Sequence, residues 1–383
     1  MTRVLELLVS LVIVFVLVVV VGALLPAHGH LERTVEVSSP LRQIYDSVNT
    51  YRRFPEWSAL RGIDPRVKMT LEGPESGLGA RVKWVSEAKQ IGDGSLEITG
   101  TDPDSKVTMA LNNLWSGANK AYTVTLIPAQ NGKTVTINWA YDADYGWNLM
   151  WRYAGLYING DPASQIQTNL NNIAAMLASF PNVDYKDQKI DMTDVTAKPV
   201  FVVATKAKRS LEEVAEATDA AVVQIEAALK KTGLTQAGPI MTITTNWGEE
   251  DYAYSVAMPV SATTFTMDKQ DYTIETAAPP ADAVETEEGK VYTPGEKDAD
   301  GLLVVDGNVR ASMSYQGKAL VTEYTGSPAA LPLLRLMMKA YAETHGYPYA
   351  EMGDGRFWDE MTSAPDVAEG EQTFKEYLPV QMQ

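Results

Sequence analysis

The chain has 383 residues, a net charge of -17 at neutral pH, no cysteine and three histidines. These values exclude disulfides, thiolate nucleophiles and zinc–cysteine sites, and they leave too few imidazoles for a convincing Ser-His-Asp triad or multi-histidine metal centre. So acidic a chain also speaks against nucleic acid and against a polybasic grip on anionic lipid.

From Leu7 to Ala27 the chain runs without a charge. At about 1.5 Å rise per residue such a helix is about 30 Å long, the thickness of a bilayer's hydrocarbon core. Two readings compete for it. A signal peptide would use Arg3 as its basic end and Ala27-His28-Gly29 near a cut, but the apolar run exceeds the usual core and Pro26 interrupts the cleavage region. An uncleaved anchor over residues 1–27 fits better. Arg3 and the free amino terminus favour a cytoplasmic start, although Arg33 dilutes that bias. The expectation is a single-pass inner-membrane protein with its soluble domains periplasmic or otherwise extracytoplasmic. His28 and His30 read as a solvated linker, and His345 as the polar tail of a helix.

About 355 residues remain, enough for two ordinary domains. Leu31–Val37 alternates as a half-buried strand should, and Pro40 opens a helix carrying Leu41, Ile44, Tyr45 and Val48. Strands are predicted over 67–71, 80–86, 95–99, 106–111, 122–127 and 134–141. They are punctuated by Gly77-Leu78-Gly79, Gly92-Asp93-Gly94 and the hairpin signal Asn131-Gly132. A helix over 162–179 closes the block, with Ile166, Leu170, Ile173 and Leu177 on one stripe. The aromatic cluster Tyr141, Tyr145, Trp147, Trp151, Tyr153 and Tyr157 lacks strand alternation. It is expected to be a loop at a pocket mouth or a contact with membrane or partner.

The run Val35-Glu36-Val37-Ser38-Ser39-Pro40, followed by Ile44-Tyr45, Val48-Asn49 and Trp57, resembles the opening of polyketide cyclase/SRPBCC proteins, the START-like helix-grip family. The stretch from Glu72-Gly73-Pro74 through Gly79-Ala80 to Lys83-Trp84 resembles it most, and Gly92 to Ile98 and Gly132 to Trp139 continue in order. The resemblance implies a deep cavity between sheet and long helix for a hydrophobic small molecule or lipid. It carries no universal catalytic residue. Trp57, Trp84, Trp115, Trp139 and Trp151 are the candidate lining, with ordinary core packing as the plain alternative for each.

The polar interval 183–197 reads as a linker. A strand over 200–205 then leads to a helix opened by the capping box of Ser210 and Glu213. It carries Leu211, Val214, Val222, Ile225 and Leu229 inward and stops at Gly233. Strands follow over 239–245 and 252–260. The order then returns: a strand over 319–324, a helix from Pro328 or Pro332 to His345, and strands over 356–361 and 372–380. The endings Met258-Pro259-Val260 and Leu378-Pro379-Val380 match, which suggests an internal duplication of a β-α-β-β unit.

That pattern, with Glu323-Tyr324-Thr325-Gly326, Glu360 and Leu378-Pro379-Val380, resembles the GyrI-like effector-binding domain. The resemblance implies a groove in which a buried glutamate faces cationic or aromatic ligands. Glu360 is the position carried over, Glu376 the second choice, and Tyr324, Trp247 and Trp358 are candidate walls. Ala329 and Ala330 stand where the family often has an aromatic residue, and Pro332 disturbs the helix start. Between the units, Met267 to Asp300 holds ten carboxylates and reads as a solvated insertion, without the spacing of a calcium loop.

The expected architecture is therefore α+β. A transmembrane helix (1–27) precedes a helix-grip antiparallel sheet domain (31–182), a linker (183–197) and a duplicated β-α-β-β domain (198–383) with an acidic insertion at about 262–300. The expected function is non-catalytic binding or sensing of a hydrophobic or cationic amphiphilic small molecule at a membrane. Trp57, Trp84, Trp139, Trp151, Tyr324 and Glu360 are the ligand residues, and no metal, cofactor or nucleic acid is implied. The alternatives are a cyclase or hydrolase using Glu360 near Tyr324 as acid/base, and a membrane-tethered protein scaffold.

Overall fold

A computed structural model of the chain describes residues 2–130, 132–276, 292–350, 356–364 and 367–381. It divides into two compact units, Met1–Tyr185 with Glu343–Gly346, and Lys186–Ala342 with Tyr347–Gln383.

The first unit begins with α1 (Thr2–Leu24), of which Arg3–Leu24 is long and apolar enough to cross a membrane. Its side chains are exposed almost throughout, as an apolar helix with no protein packed around it must be. Then come β1 (His28–Val37), α2 (Leu41–Val48), α3 (Phe54–Trp57), α4 (Leu60–Ile63), β2 (Lys68–Glu72), β3 (Arg81–Val85), β4 (Gly94–Asp102), β5 (Lys106–Asn112), β6 (Ala118–Pro128), β7 (Val135–Asp144), α5 (Leu149–Gly155) and α6 (Asp161–Ser179). The strands form one antiparallel sheet in the order β1-β7-β6-β5-β4-β3-β2. Alternation sets its inner face: Val82 and Trp84, Leu96 and Ile98, Val107 and Met109, Ile137 and Trp139 are all buried. α6 presents Ile166, Leu170, Ile173 and Leu177 to that face.

Three expectations change here. His28 and His30 are not a linker, because β1 starts at His28 and pairs residue by residue with β7 as far as Asp144. The reason is the alternation of the exposed histidines with buried Gly29 and Leu31. His30 Nδ1 lies 2.7 Å from Asp142 Oδ1, and that bond raises the His30 pKa above its ordinary value. The cluster 141–157 is not a single loop: β7 continues to Asp144, and α5 is capped by Asn148, whose side chain accepts from the Trp151 amide. Asn131 of the hairpin signal lies outside the described residues, but Gly132 beside it has φ of 66° and turns β6 into β7.

The second unit comprises β8 (Ile190–Val195), β9 (Pro199–Lys208), α7 (Leu211–Thr232), β10 (Met241–Trp247), β11 (Asp251–Pro259), β12 (Thr264–Met267), β13 (Gln270–Thr273), β14 (Leu303–Asp306), β15 (Val309–Met313), β16 (Gly317–Thr325), α8 (Leu331–His345) as far as Ala342, β17 (Trp358–Met361) and β18 (Thr373–Pro379). Nine strands form one sheet in the order β14-β15-β9-β11-β10-β17-β18-β16-β8. α7 is capped by Ser210, whose hydroxyl accepts from the Glu213 amide, and it ends at Gly233 with φ of 73°. Ile225 and Leu229 face inward, whereas Leu211 is exposed.

The interval read as a linker contains β8, which pairs with β16 through Ile190–Val195. The stretch read as a solvated insertion forms β12 and β13, a hairpin that buries Phe265 and Met267. Residues 277–291 of that insertion lie outside the described residues.

Leu170 is fully buried under the first sheet while Asn171 beside it is exposed. Leu170→Ala is expected to lower stability by about 2–5 kcal/mol in urea denaturation, and Asn171→Ala to stay within about 0.5 kcal/mol of the parent.

Candidate functional site

In the first unit the aromatic residues pack as a connected series. The Phe54 ring meets Trp57 edge-on with centroids 4.7 Å apart, and it lies nearly parallel to Trp84 at 6.2 Å. Trp57 meets Trp139 at 5.8 Å, Trp139 meets Tyr122 at 5.2 Å, and Trp115 meets Tyr141 at 5.3 Å. α6 fixes the start of this series. Asn169 Oδ1 accepts from the Ala59 amide at 2.8 Å, and Asn172 Nδ2 donates to the Trp57 carbonyl at 3.2 Å. Gly94 lets β4 pass beside Trp84, where a Cβ would collide with the indole and with the Asn112 carbonyl.

A cavity of about 30 Å³ lies among Phe54, Trp57, Trp84, Leu111, Trp115 and Asn169. That is room for one or two waters. The deep cavity implied by the sequence resemblance is filled here by the rings themselves. Trp57 and Trp84 nevertheless keep their indole N–H groups buried without a hydrogen-bond partner, as does Trp139 behind them. A buried donor left unmade costs about 1–3 kcal/mol, so each of these groups carries a standing demand for an acceptor.

Leu111, Asn113, Leu114 and Trp115 also line an open cleft of about 570 Å³, whose other wall includes Trp151. This loop is held by Lys120, buried to 9 % exposure. Its Nζ donates to the Asn113 carbonyl at 2.5 Å, to Asn113 Oδ1 at 2.9 Å and to the Trp115 carbonyl at 2.8 Å. Burial lowers the Lys120 pKa. Leu114 is exposed, lies over Gly92 and lines both cleft and cavity.

Trp57 and Trp84 thus meet at one cavity, Trp139 stands directly behind them, and Trp151 stands at the outer cleft. Tyr324 and Glu360 belong to the second unit, and they do not come together. Glu360 pairs with Lys375 and, across β18, lines up with Glu323, while Tyr324 lines up with Phe374 and Met361. One residue of offset puts them on opposite faces of the sheet. Tyr324 and Phe374 pack near Leu331 and Leu334 on the α8 side, and Glu360 shares the other side with Trp358 and Tyr377, which stack at 4.6 Å. The acid/base pairing of Glu360 with Tyr324 is therefore not formed. Trp247 is 39 % exposed and lies under Arg209.

The carboxylates that face α8 are Asp359 and Glu376, direct partners across β17 and β18. Arg335 Nε donates to Glu376 Oε1 and Arg335 Nη2 to Asp359 Oδ1, each at 2.9 Å. Glu376 is fully buried and its Oε2 has no partner. Burial raises the Glu376 pKa to about 8 against the pull of Arg335, with repulsion from Asp359 adding to the rise; burial likewise raises Asp359. Burial opposes the charge on Arg335, but Glu376, Tyr252 and Asp359 outweigh it and raise its pKa. The parity that buries this glutamate is legible: Phe374, Glu376 and Leu378 share one face of β18.

No family model and no curated protein matches the chain. Among solved structures, it is similar to norcoclaurine synthase from Thalictrum flavum in complex with dopamine and hydroxybenzaldehyde: 12% identity, 41% of this chain and 91% of that one, TM-score 0.31. XoxI from Bacillus cereus is similar at 12% identity, over 39% of this chain and 96% of that one, TM-score 0.30. The EcmrR C-terminal domain is similar at 10% identity, over 51% and 98%, TM-score 0.34.

Because the folded Glu376 pKa lies above its ordinary value near 4.5, the native state binds a proton that the unfolded chain releases. Stability is therefore highest below about pH 4.5 for this group and falls as pH rises toward 8, by up to about 1.4 kcal/mol per pH unit. Urea denaturation of the second unit between pH 5 and 8 should show this slope, and Glu376→Gln should flatten it.

Proposed function

We propose that the protein is a membrane-anchored, non-catalytic binder of a hydrophobic or amphiphilic small molecule, with α1 as an uncleaved anchor and both units on the extracytoplasmic side. The observation that carries this reading is the pair of buried, unpartnered indole N–H groups of Trp57 and Trp84 at a cavity continuous in its lining with an open cleft. A flat apolar molecule with one or two acceptor atoms suits that lining, since rings supply the contact area and the indoles fix orientation. Entry requires Leu114 to swing off Gly92 and the rings to part.

The sheet of seven antiparallel strands closed by α6 supports placing the first unit in the SRPBCC helix-grip class. In the second, the strand orders β9-β11-β10 and β16-β18-β17 mirror each other about the β10–β17 pair, which supports the GyrI-like duplication. There Glu376, with one carboxylate oxygen unpartnered, supports a second reading in which a cation is bound. A cation would compete with the proton on Glu376, so binding would strengthen as pH rises toward 8.

Native followed by denaturing mass spectrometry of the full chain in lipid nanodiscs tests the proposal. A small molecule retained in the first and released in the second is the expected result. With that molecule, Trp57→Phe and Trp84→Phe should each weaken binding about 2- to 10-fold, the worth of one hydrogen bond of about 0.5–1.5 kcal/mol. Unchanged affinity in both would remove the first-unit cavity as the site, and weakening by Glu376→Gln alone would transfer it to the second unit.

A further inference from the structure

Between Tyr145 and Gly160 the only charged residue is Arg152, and it is buried at 7 % exposure. In a chain with 21% charged residues, this stretch therefore presents no charge of its own, and charge meets it only at its edges, where Arg33 donates to Asn159 and Asp144 accepts from the Gly146 amide. It presents instead Trp147 at 84 % exposure, Met150 at 77 %, Tyr157 at 76 % and Leu156 at 59 %. Outside α1, exposed apolar side chains elsewhere on the first unit, such as Leu71, Leu78 and Val85, are scattered. Four within eleven residues form a patch that needs an occupant.

The backbone and side chains around α5 say which occupant. Tyr153 donates its hydroxyl to the Val18 carbonyl at 2.7 Å, and Arg152 Nη1 donates to the carbonyls of Ala23 at 2.7 Å and Leu25 at 3.2 Å. Arg152 Nε donates to the Gly146 carbonyl at 2.7 Å, and the Tyr145 and Gly146 amides both donate to the Ala27 carbonyl. The Arg152 contacts satisfy carbonyls that the end of α1 leaves open and place a cation at its negative pole, while Tyr153 adds a second bond to a carbonyl inside the helix. Gly22 permits the approach, since a Cβ there would lie 3.0 Å from the Tyr153 ring. α5 is thus fastened alongside the last turns of α1, and Val18 lies about 10 Å along the helix axis from Leu25.

We infer that α5 and its flanks form an insertion surface for the lipid bilayer, seated at the level of the headgroups and the first acyl carbons. The inference rests on the anchored reading of α1 above. If α1 spans a bilayer, a segment held against its last ~10 Å sits at the interface, the depth that interfacial apolar surfaces and Trp and Tyr side chains occupy. The exposed side chains of α5 and its flanks are uncharged, so the contact does not depend on anionic lipid. It also brings Trp151, a wall of the open cleft, beside the headgroups.

The absence of cysteine makes the test direct. Single substitutions Val14→Cys, Met150→Cys and Leu78→Cys in the full chain are labelled with an NBD fluorophore and reconstituted into phosphatidylcholine vesicles. Val14 reports α1, Met150 reports α5 and Leu78 is an exposed site of the same unit outside it. The expected result is blue-shifted emission from Val14 and Met150, a water-like spectrum from Leu78, and strong quenching of Met150 by a nitroxide carried near the headgroup. A water-like Met150 with a blue-shifted Val14 overturns the inference and leaves the anchor standing. A blue-shifted Met150 that no lipid-borne nitroxide quenches assigns the patch to a protein partner or a second copy, which also overturns it. A water-like Val14 overturns the anchor and the inference together.

Discussion

A seven-stranded antiparallel sheet has one inner face to bury and, in the first unit, one long helix of 19 residues to bury it with, helped by the short α2 and α3. α6 covers that face mainly with Ile166, Leu170, Ile173 and Leu177. What remains is filled by rings contributed from the strands and from α3, which is why Trp57, Trp84, Trp139, Tyr122 and Tyr141 sit in mutual contact rather than around an open chamber. Large rings fill space with few atoms to order, but tryptophan brings an N–H that must be met. The three buried indoles without partners are the residue of that compromise. A ligand acceptor would relieve it, and so the same packing that closes the cavity also favours opening it.

The second unit faces a different constraint. Asp359 and Glu376 are paired across two neighbouring strands on the face that α8 must cover, so two carboxylates would be buried with no compensation. Arg335 supplies one positive charge and bonds both. One guanidinium cannot neutralise two ionised acids, and burial, with repulsion from Asp359 added to it, raises the pKa of Glu376. Replacing one acid by an apolar residue would remove that surplus while keeping the helix docked. With both acids retained, Glu376 holds its proton at low pH and ionises as pH rises toward 8.

Much of this was legible in the sequence, and the exceptions have physical causes. Alternation located β1 to β7, and the cap at Ser210 and the stop at Gly233 located α7, because each is a local pattern with a local mechanism. β8 was lost because Asp191 and Asp194 mask the alternation of an edge strand. α5 was lost because its face packs on α1 rather than on the core of the unit, so core periodicity does not describe it. At the start of β17, aromatic residues occupy both parities, Phe357 just before the strand and Trp358 opening it, so the sequence could not say whether Asp359 or Glu360 faces the helix; β18, with Phe374 and Leu378 flanking Glu376, could. The volume of the aromatic cavity was out of reach, since a resemblance carries a backbone and side-chain bulk decides what is left inside it.

The junction after α1 is short and held at both ends. Only Leu25, Pro26 and Ala27 separate the helix from β1, and Ala27 is itself bonded to the backbone of residues 145 and 146. A flexible tether would let the domain tumble beside a membrane. A three-residue junction clamped by Arg152 transmits the orientation of α1 to the sheet. The acidic character of the chain fits this arrangement, because fixed geometry and apolar contact do the positioning that basic residues would otherwise do. Repulsion from anionic headgroups would then keep the charged surfaces away from the bilayer while the uncharged stretch from Tyr145 to Trp151 faces it. On the proposed anchoring of α1, charge and shape therefore favour the same orientation, with Trp151 of the cleft on the segment fastened to α1.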